Sequence, residues 1–326
     1  MQYKPLRALI TCEVTNEFLT SLKERNIEFV LAGWGQNGNM LSEIDIITKA
    51  QNCEIVIVEI EELNSRVLGS LNKLKFVGVS RGTPVNVDLE YCRERKIPVV
   101  RTPGRNADSV ADYCLAMMLD LSRKLTFSSR HLTSKGWLFD EKLPYLEFRG
   151  HEIGNLKVGL YGFGQIGVRV AQRLSNGFGS SVFFYDPYVE SSSNATKVDT
   201  LEELFEISDI ISLHAPVMPE TENSINRALL RKLGPDGILI NSARAILIVE
   251  EDLYQSLISR EIASAAVDVF WKEPIAVNNR WLKLPNVICT PHIAGASRDV
   301  VSNHCETILN GIDKWLSSTQ HKGEFA

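Results

Sequence analysis

The chain has 326 residues, of which 44% are hydrophobic and 23% are charged, and its formal net charge is −5. This length is sufficient for two domains with separate cores. The acidic balance, without any run rich in Lys and Arg, argues against nucleic-acid binding, and no apolar run approaches the length of about 18 residues that a membrane span needs. The apolar start at residues 6–10 is too short for a signal-peptide core, so we expect a cytoplasmic protein.

The first third of the chain alternates short apolar runs with helical patterns. Strands are predicted at residues 8–11, 27–31, 55–59, 76–79 and 98–101. This alternation is typical of right-handed crossovers and a parallel sheet. Thr102-Pro103-Gly104 then ends the pattern, and one long helix is predicted over about residues 106–134.

A second alternating series starts near Leu156. Its predicted strands are residues 157–161, 181–185, 210–214, 237–241, 264–268 and 287–290, and a last helix is predicted over about 296–317. The simplest arrangement is discontinuous, with residues 1–103 and 296–326 forming one domain and residues 104–295 forming the other. We therefore predict an α/β protein with two doubly wound parallel-sheet domains.

The six cysteines are scattered along the chain, and none forms a C-x-x-C pair. Such spacing predicts free thiols in a reducing compartment and neither a disulfide framework nor a zinc site. We expect no metal, and we expect most of these cysteines to be small apolar core residues.

The most informative motif lies between a predicted strand and a predicted helix. It reads Gly162-Phe-Gly-Gln-Ile-Gly167, and Asp186 ends the next strand about 20 residues later, which is the dinucleotide-binding pattern. Glycines allow backbone N–H groups to approach a pyrophosphate, so Gly162, Gly164, Gln165, Ile166 and Gly167 are predicted cofactor-binding residues. Asp186 would accept hydrogen bonds from ribose hydroxyls and repel a 2′-phosphate, which favours NAD. The alternative is an ordinary tight turn from strand to helix.

Three later segments place titratable side chains after predicted strands, where ligands bind in open parallel sheets. His292 suits proton transfer to the carbonyl oxygen of a 2-oxo acid, and Glu273 as its neighbour would favour the protonated imidazole. Arg244 offers forked donors to a substrate carboxylate and carbonyl. Each residue alone is more typical of a loop or surface position. Together, behind the dinucleotide pattern, they predict an active site for hydride transfer.

Over essentially its full length the chain resembles the D-isomer-specific 2-hydroxyacid dehydrogenase family. The resemblance is carried by Asp186, Thr221 and residues 161–167, 213–216, 241–244, 268–274 and 291–295. It implies an NAD-binding Rossmann domain inserted into a flavodoxin-like substrate domain, with NAD as cofactor. It also implies a homodimer joined by the long helix, and Gly136-Trp137 resembles a segment that can reach the partner's active site.

The resemblance further implies roles for individual residues. Catalysis falls to Arg244, Glu273 and His292, and Asp268 would hold the nicotinamide amide. Substrate binding is implied for Gly82, Arg244 and His292, and we expect Arg81, which departs from the family pattern, to bind substrate as well. Cofactor binding beyond the glycine motif and Asp186 is implied for His214, Pro216, Thr221, Ser242, Ala243, Arg244, Asp268, His292 and Gly295. For His214, a packing role is the alternative.

Departures from the family pattern bear on the substrate. Ala245 follows Arg244 where Gly is usual, which matters only if that residue needs a positive φ. In the loop 80–88, Pro84 removes a backbone donor and Arg81 adds a cation. The acidic stretch at 59–62 would repel a phosphate, or its glutamates merely begin the next helix. We expect a small, non-phosphorylated hydroxy acid; the alternatives are D-3-phosphoglycerate and, in a different class, an NAD-sensing corepressor that binds peptides.

Overall fold

The computed structural model describes residues 4–320, with the backbone alone for residues 319 and 320. The chain forms two compact units: residues up to 106 together with those from 297 onward, and residues 107–296. Residues 1–3 and 321–326, which the predicted substrate domain includes, lie outside the described residues. Within residues 4–320, no helix combines the length and the apolar character that crossing a membrane requires.

The first unit is built on a five-stranded parallel sheet in the order β2-β1-β3-β4-β5. This is the flavodoxin-like order. The strands are β1 (Leu6–Ile10), β2 (Ile27–Leu31), β3 (Ile55–Val58), β4 (Phe76–Val79) and β5 (Val99–Arg101). The helices are α1 (Asn16–Glu24), α2 (Trp34–Asn37), α3 (Glu43–Ala50), α4 (Ser65–Ser70), α5 (Leu89–Glu94) and, numbered by its place in the chain, α12 (Asp299–Gln320). Strands β3 and β4 are buried along their whole length, which explains their continuous apolar sequences.

The second unit contains a seven-stranded parallel sheet in the order β12-β11-β10-β9-β6-β7-β8. Its strands are β6 (Lys157–Tyr161), β7 (Ser181–Tyr185), β8 (Thr196–Lys197), β9 (Ile210–Leu213), β10 (Ile238–Asn241), β11 (Ser264–Val267) and β12 (Val287–Cys289). Its helices are α6 (Ala107–Arg123), α7 (Leu125–Lys135), α8 (Gln165–Phe178), α9 (Leu201–Ile207), α10 (Arg227–Leu233) and α11 (Glu250–Ile258). The order reverses at β6 and β9, as in Rossmann folds. The predicted fold class is confirmed.

The predicted long helix is wrong in one respect, because it is two helices. Lys124 has φ +55, in the left-handed region, and separates α6 from α7. The Asp120 carboxylate accepts hydrogen bonds from the backbone N–H of Thr126 at 2.8 Å and from its hydroxyl at 2.5 Å. Side-chain capping of this kind offers the backbone an alternative to a continuous helix. Asp120 therefore has a structural task at the break.

All six cysteines are free thiols, and five of them are buried. Burial raises the pKa of Cys114 to about 11, so this thiol is protonated at neutral pH. The same cause raises the pKa of Cys92 and of Cys305 to about 11. Protonated buried thiols are poor nucleophiles, and these cysteines fill the core as predicted.

Candidate active site

Three neighbouring strands bring the predicted catalytic segments to one edge of the second sheet. Strands β10, β11 and β12 are parallel and adjacent, with Asn241 beside Val267 and Val267 beside Cys289. Because parallel strands end at the same edge, the segments that follow them emerge side by side. Arg244, Glu273 and His292 lie on these three segments.

The structure joins His292 and Glu273 directly. His292 Nδ1 lies 2.8 Å from Glu273 Oε2, and Glu273 Oε1 accepts a hydrogen bond from the backbone N–H of Phe270 at 2.9 Å. Partial burial alone would raise the pKa of the Glu273 carboxyl. The hydrogen bonds from His292 and Phe270, with the charges of His292 and Arg244, outweigh that effect and lower the pKa below its usual value. An ionised carboxylate thus holds one imidazole nitrogen and leaves Nε2 for chemistry.

A buried aspartate shapes the turn that presents His292. Asp268 is fully buried, and its carboxylate accepts hydrogen bonds from the backbone N–H groups of Ile293 and Ala294, each at 2.8 Å. The Thr290 hydroxyl donates to the same carboxylate at 2.6 Å. These bonds stabilise a turn in which His292 adopts φ +54. The predicted role of Asp268 toward the nicotinamide amide stays a prediction.

Arg244 leaves β10 through a turn made by Asn241. The Asn241 side chain accepts a hydrogen bond from the N–H of Ala243 and donates one to the carbonyl of Arg244, each at 3.1 Å. The exposed Arg244 guanidinium donates to the Ala243 carbonyl at 2.6 Å. Its other N–H groups make no hydrogen bond or ion pair within residues 4–320, so they can bind an anion. Ala245 begins a 3-10 helix without a positive φ, and its methyl group is therefore tolerated.

The glycine motif has the geometry of a phosphate-binding turn. Gly162 has φ +92, and a Cβ there would lie 2.5 Å from the backbone nitrogen of Ala215, so only glycine fits. A Cβ on Gly167 would lie 2.6 Å from the Gly162 carbonyl. By contrast, a Cβ on Gly164 would meet nothing within 4 Å, and no side chain caps α8. Open space in front of free helix N–H groups fits a pyrophosphate.

Two side chains at the ends of β7 and β9 also fit a dinucleotide. The carboxylate of Asp186 accepts hydrogen bonds from the backbone N–H of Phe163 at 2.7 Å and of Tyr188 at 2.8 Å. Each oxygen keeps a lone pair for a ribose hydroxyl. His214 Nε2 is buried without a partner among residues 4–320. Burial lowers the pKa of this imidazole to about 4, so it is neutral at neutral pH.

The remaining predicted residues lie after β9, after β10 and β12, and after β4. The buried hydroxyl of Thr221 donates to the carbonyl of Pro216 at 2.7 Å and accepts from the N–H of Met218 at 2.8 Å, which closes the loop after β9. Ser242, Ala243 and Gly295 lie on the segments after β10 and β12. Arg81 and Gly82 follow β4 in the first unit, and no hydrogen bond or ion pair engages the Arg81 side chain within the described part of the chain.

The acidic stretch at 59–62 differs from both sequence interpretations. Glu59 forms an ion pair with Arg105. Glu61 is fully buried and accepts hydrogen bonds from the Thr11 hydroxyl at 2.6 Å and the backbone N–H of Trp34 at 3.0 Å. Helix α4 starts only at Ser65. Arg105 neutralises one of the three carboxylates and Glu61 is enclosed in the first unit, so the charge argument against a phosphorylated substrate is weaker.

Sequence patterns missed one side chain that supports the site. The Tyr113 hydroxyl, on α6, lies 2.7 Å from the Thr290 hydroxyl and extends the hydrogen-bond chain that starts at Asp268. Tyr113 occupies a helical stripe of mostly apolar residues and carries no local signal of this contact. Thr290 could have been predicted from the sequence, because it directly precedes Pro291-His292.

Comparison with known proteins identifies the family. Residues 115–294 match the model of the NAD binding domain of D-isomer specific 2-hydroxyacid dehydrogenases. The Bacillus subtilis protein YoaD, whose name places it among the 2-hydroxyacid dehydrogenases, is 33% identical over 95% of this chain and 91% of its own length. Glyoxylate reductase of Korarchaeum cryptofilum is 28% identical over 94% of this chain and 91% of its own length.

A solved structure agrees in fold over nearly the whole chain. The NADPH-dependent glyoxylate/hydroxypyruvate reductase of Sinorhizobium meliloti superposes with a TM-score of 0.77 and 25% identity, over 96% of this chain and 95% of that one. The matched domain binds a nicotinamide dinucleotide. With its two parallel sheets, its glycine motif and its His292–Glu273 pair, the chain belongs to the D-isomer specific 2-hydroxyacid dehydrogenase family.

Proposed function

We propose that this oxidoreductase transfers a hydride between NAD(H) and a small D-2-hydroxy acid or its 2-oxo counterpart. The observation that carries the proposal is the His292–Glu273 hydrogen bond beside Arg244 at the carboxyl edge of the second sheet. An imidazole, a carboxylate and a guanidinium are the groups that this reaction needs. A bound nicotinamide ring would supply or accept the hydride itself.

The protein residues manage the proton and the substrate charge. In the reductive direction, protonated His292 donates from Nε2 to the carbonyl oxygen, while Glu273 stabilises the positive imidazole at Nδ1. In the oxidative direction, neutral His292 accepts the hydroxyl proton. Arg244 binds the substrate carboxylate through its forked donors. We assign further substrate contacts to Arg81 and Gly82 of the first unit.

For the cofactor, we propose NAD rather than NADP. The support is Asp186, whose carboxylate stands at the end of β7 next to the glycine turn. The sequence-predicted residues His214, Pro216, Thr221, Ser242, Ala243, Asp268 and Gly295 complete the proposed cofactor site. The NADPH dependence of the Sinorhizobium meliloti enzyme means that the shared fold does not decide this choice.

A panel of 2-oxo acids, read by the loss of NADH absorbance, tests the proposed function. We expect turnover with small acids such as glyoxylate and hydroxypyruvate, with kcat/KM in the usual enzyme range of about 10⁴ M⁻¹s⁻¹ or more. The reason is that Arg244 and His292 need only a carboxylate and an adjacent carbonyl. Failure to turn over any acid in the panel, with NADH still bound, would refute the enzyme and favour a dinucleotide-sensing binding protein.

The second candidate substrate is a phosphorylated one, D-3-phosphoglycerate or its 2-oxo form. One observation favours it: the Arg81 guanidinium is unpaired within residues 4–320, whereas Glu59 is neutralised by Arg105. An unpaired cation at a strand end can bind a second anionic group. In the same panel, a kcat/KM for the phosphorylated acid at least about tenfold above that for hydroxypyruvate would select this candidate.

We also propose that the protein is a homodimer. Helix α7 and the residues after it expose an apolar patch, defined as Leu125, Leu132, Trp137, Leu138, Leu143, Tyr145 and Leu146, each at least half exposed. A cleft of about 760 Å³ opens beside several of them. Apolar patches of this kind mark interaction sites, and symmetric dimers are the commonest soluble assemblies.

The double variant Leu143→Asp/Leu146→Asp is expected to be monomeric where the wild type is a dimer. A two-fold interface places each substitution twice, and buried unpaired charges are costly. We expect the dimer dissociation constant to rise about 100-fold or more, measured by light scattering across a dilution series. Ile44→Asp, an equally exposed apolar position of the first unit, is the control and should stay dimeric. A dimeric double variant would contradict the patch as the interface.

A further inference from the structure

The segment that carries Glu273 has no helix or strand, yet one of its side chains is fixed in two ways. The indole of Trp271 stacks on that of Trp281, with ring centroids 5.4 Å apart and planes within 14°. Its Nε1–H donates to the carbonyl of Ile248 at 3.1 Å. Trp271 precedes Glu273 by two residues and is half-buried, whereas Lys272, Glu273 and Pro274 are exposed.

Trp281, on which Trp271 stacks, is itself held in place by several contacts. Trp281 is 1% exposed, and its Nε1–H donates to Glu250 Oε1 at 3.1 Å. The ring of Tyr254 meets it edge-on, with centroids 5.5 Å apart. The Arg280 guanidinium lies 4.2 Å above the Tyr254 ring and pairs with Glu250 at 3.0 Å. These contacts hold Trp281 against helix α11.

The acceptor of the indole N–H belongs to the segment that carries Arg244. Ile248 follows the 3-10 helix Ala245–Leu247, which begins directly after Arg244. This segment is fastened to Ile225, whose N–H donates to the Leu247 carbonyl at 3.0 Å. The Ile225 carbonyl in turn accepts from the N–H of Val249 at 2.9 Å. Trp271 therefore links the segment of Arg244 to the segment of Glu273.

We propose that Trp271 is a positioning residue that places the Glu273 carboxylate against His292 Nδ1 and in fixed relation to Arg244. The indole acts through Glu273 and not on the reacting atoms. The charged groups that act on the Glu273 carboxylate are His292 and Arg244. This placement affects turnover only if the proposed function is correct, so the inference rests on that proposal. A loosened support matters because catalytic groups lose efficiency when misplaced by about 1 Å.

A double-mutant cycle with Glu273 tests the proposal. Trp271→Phe keeps an aromatic ring on Trp281 but removes the N–H donor, and Trp271→Ala removes both. We expect kcat for 2-oxo acid reduction to fall about 5-fold in Trp271→Phe and about 30-fold or more in Trp271→Ala, with the NADH dissociation constant within about twofold. In a Glu273→Gln background, both changes should cost less than about threefold, because residues that act through one another are not additive.

The pH dependence of kcat distinguishes a positioning role of Trp271 from a purely structural one, because loss of stability alone does not change the pH dependence. The contact with His292 helps to hold the pKa of the Glu273 carboxyl below its usual value, so misplacing this carboxylate raises that pKa and moves the acidic limb of reductive activity toward higher pH. Trp34→Phe in the first unit is the control and should change neither kcat nor the profile. Equal losses in the wild-type and Glu273→Gln backgrounds, with an unmoved pH limb, would overturn the proposal. If Trp271→Ala does not fold, Trp271→Phe decides alone.

A measurement without substrate separates this inference from the proposed function. The side-chain carboxyl resonance of Glu273 can be followed by carbon NMR during a pH titration and assigned by its loss in Glu273→Gln. We expect its titration midpoint, which the contact with His292 helps to hold below the usual value, to move to higher pH in Trp271→Phe and Trp271→Ala. An unmoved midpoint in the Trp271 variants would refute the positioning role even if every acid of the panel is turned over. A moved midpoint in a protein without turnover would refute the enzyme proposal and retain the positioning role.

Discussion

The His292→Gln variant is expected to lose about 1,000-fold of kcat for 2-oxo acid reduction, while its NADH dissociation constant stays within about twofold. Glutamine can still donate an N–H to the carboxylate of Glu273, which His292 Nδ1 approaches at 2.8 Å, but it cannot give up a proton at neutral pH. The glycine turn and Asp186 follow other strands, β6 and β7, and we expect them to remain unchanged. Initial rates by NADH absorbance and NADH affinity by fluorescence titration measure the two quantities.

The backbone of residue 292 demands a second variant. His292 has φ +54, a conformation that Asn and His adopt more readily than Gln. His292→Asn therefore tests the loss of the proton donor with less backbone strain, and it should be equally inactive. His151→Gln, at an exposed position outside the proposed site, is the control for an unrelated histidine. A kcat within about tenfold of wild type in both 292 variants would remove His292 from the mechanism.

The pH dependence follows from the same assignment. In the proposed mechanism the reductive direction uses His292 as the proton donor, so we expect its rate to fall as the pH rises. The oxidative direction needs the neutral ring and should lose rate as the pH falls. Glu273 keeps its negative charge throughout the neutral range, because its pKa is lowered. Neither 292 variant should retain the limb that belongs to the imidazole.

Strands buried on both faces were the easiest elements to predict from the sequence. Strands β3 and β4 read as uninterrupted apolar runs and occur within one residue of the predicted bounds. Strand β8 is only two residues long and shows no period that a pattern could detect. The break at Lys124 escaped prediction because it depends on how the Asp120 side chain bonds to Thr126 rather than on apolar spacing.

The site residues that could be predicted are those that belong to contiguous sequence motifs. Glu273 and His292 follow strands that proved to be neighbours, and the structure pairs them. Contacts between residues that are far apart in the sequence and belong to no motif could not be predicted from sequence patterns. The ion pair of Glu59 with Arg105 weakened the charge argument drawn from the acidic stretch, and the stacking of Trp271 on Trp281 supports the loop that carries Glu273. Such contacts exist only once the chain has folded.

Asp186→Asn is expected to shift the ratio of kcat/KM for NADH over NADPH about 100-fold toward NADPH. A carboxylate and a phosphate of charge about −2, held roughly 5 Å apart, repel each other by roughly 3 kcal/mol at an effective dielectric constant of about 40. That energy corresponds to about 100-fold in discrimination. Asparagine removes the charge and can still accept one of the two backbone hydrogen bonds, from Phe163 or Tyr188, that the carboxylate accepts.

The wild type should accordingly prefer NADH by at least about this factor, and Asp236→Asn, an exposed turn residue of the same unit, should leave the ratio unchanged. Because the carboxylate also tethers the glycine turn, Asp186→Asn should weaken NADH use several-fold as well, through KM more than kcat. The Sinorhizobium meliloti relative is NADPH-dependent on the same fold, so the fold alone does not set the preference, and we propose that this side chain does. Comparable kcat/KM for the two cofactors in the wild type, or an unmoved ratio in Asp186→Asn, would show that Asp186 does not select the cofactor.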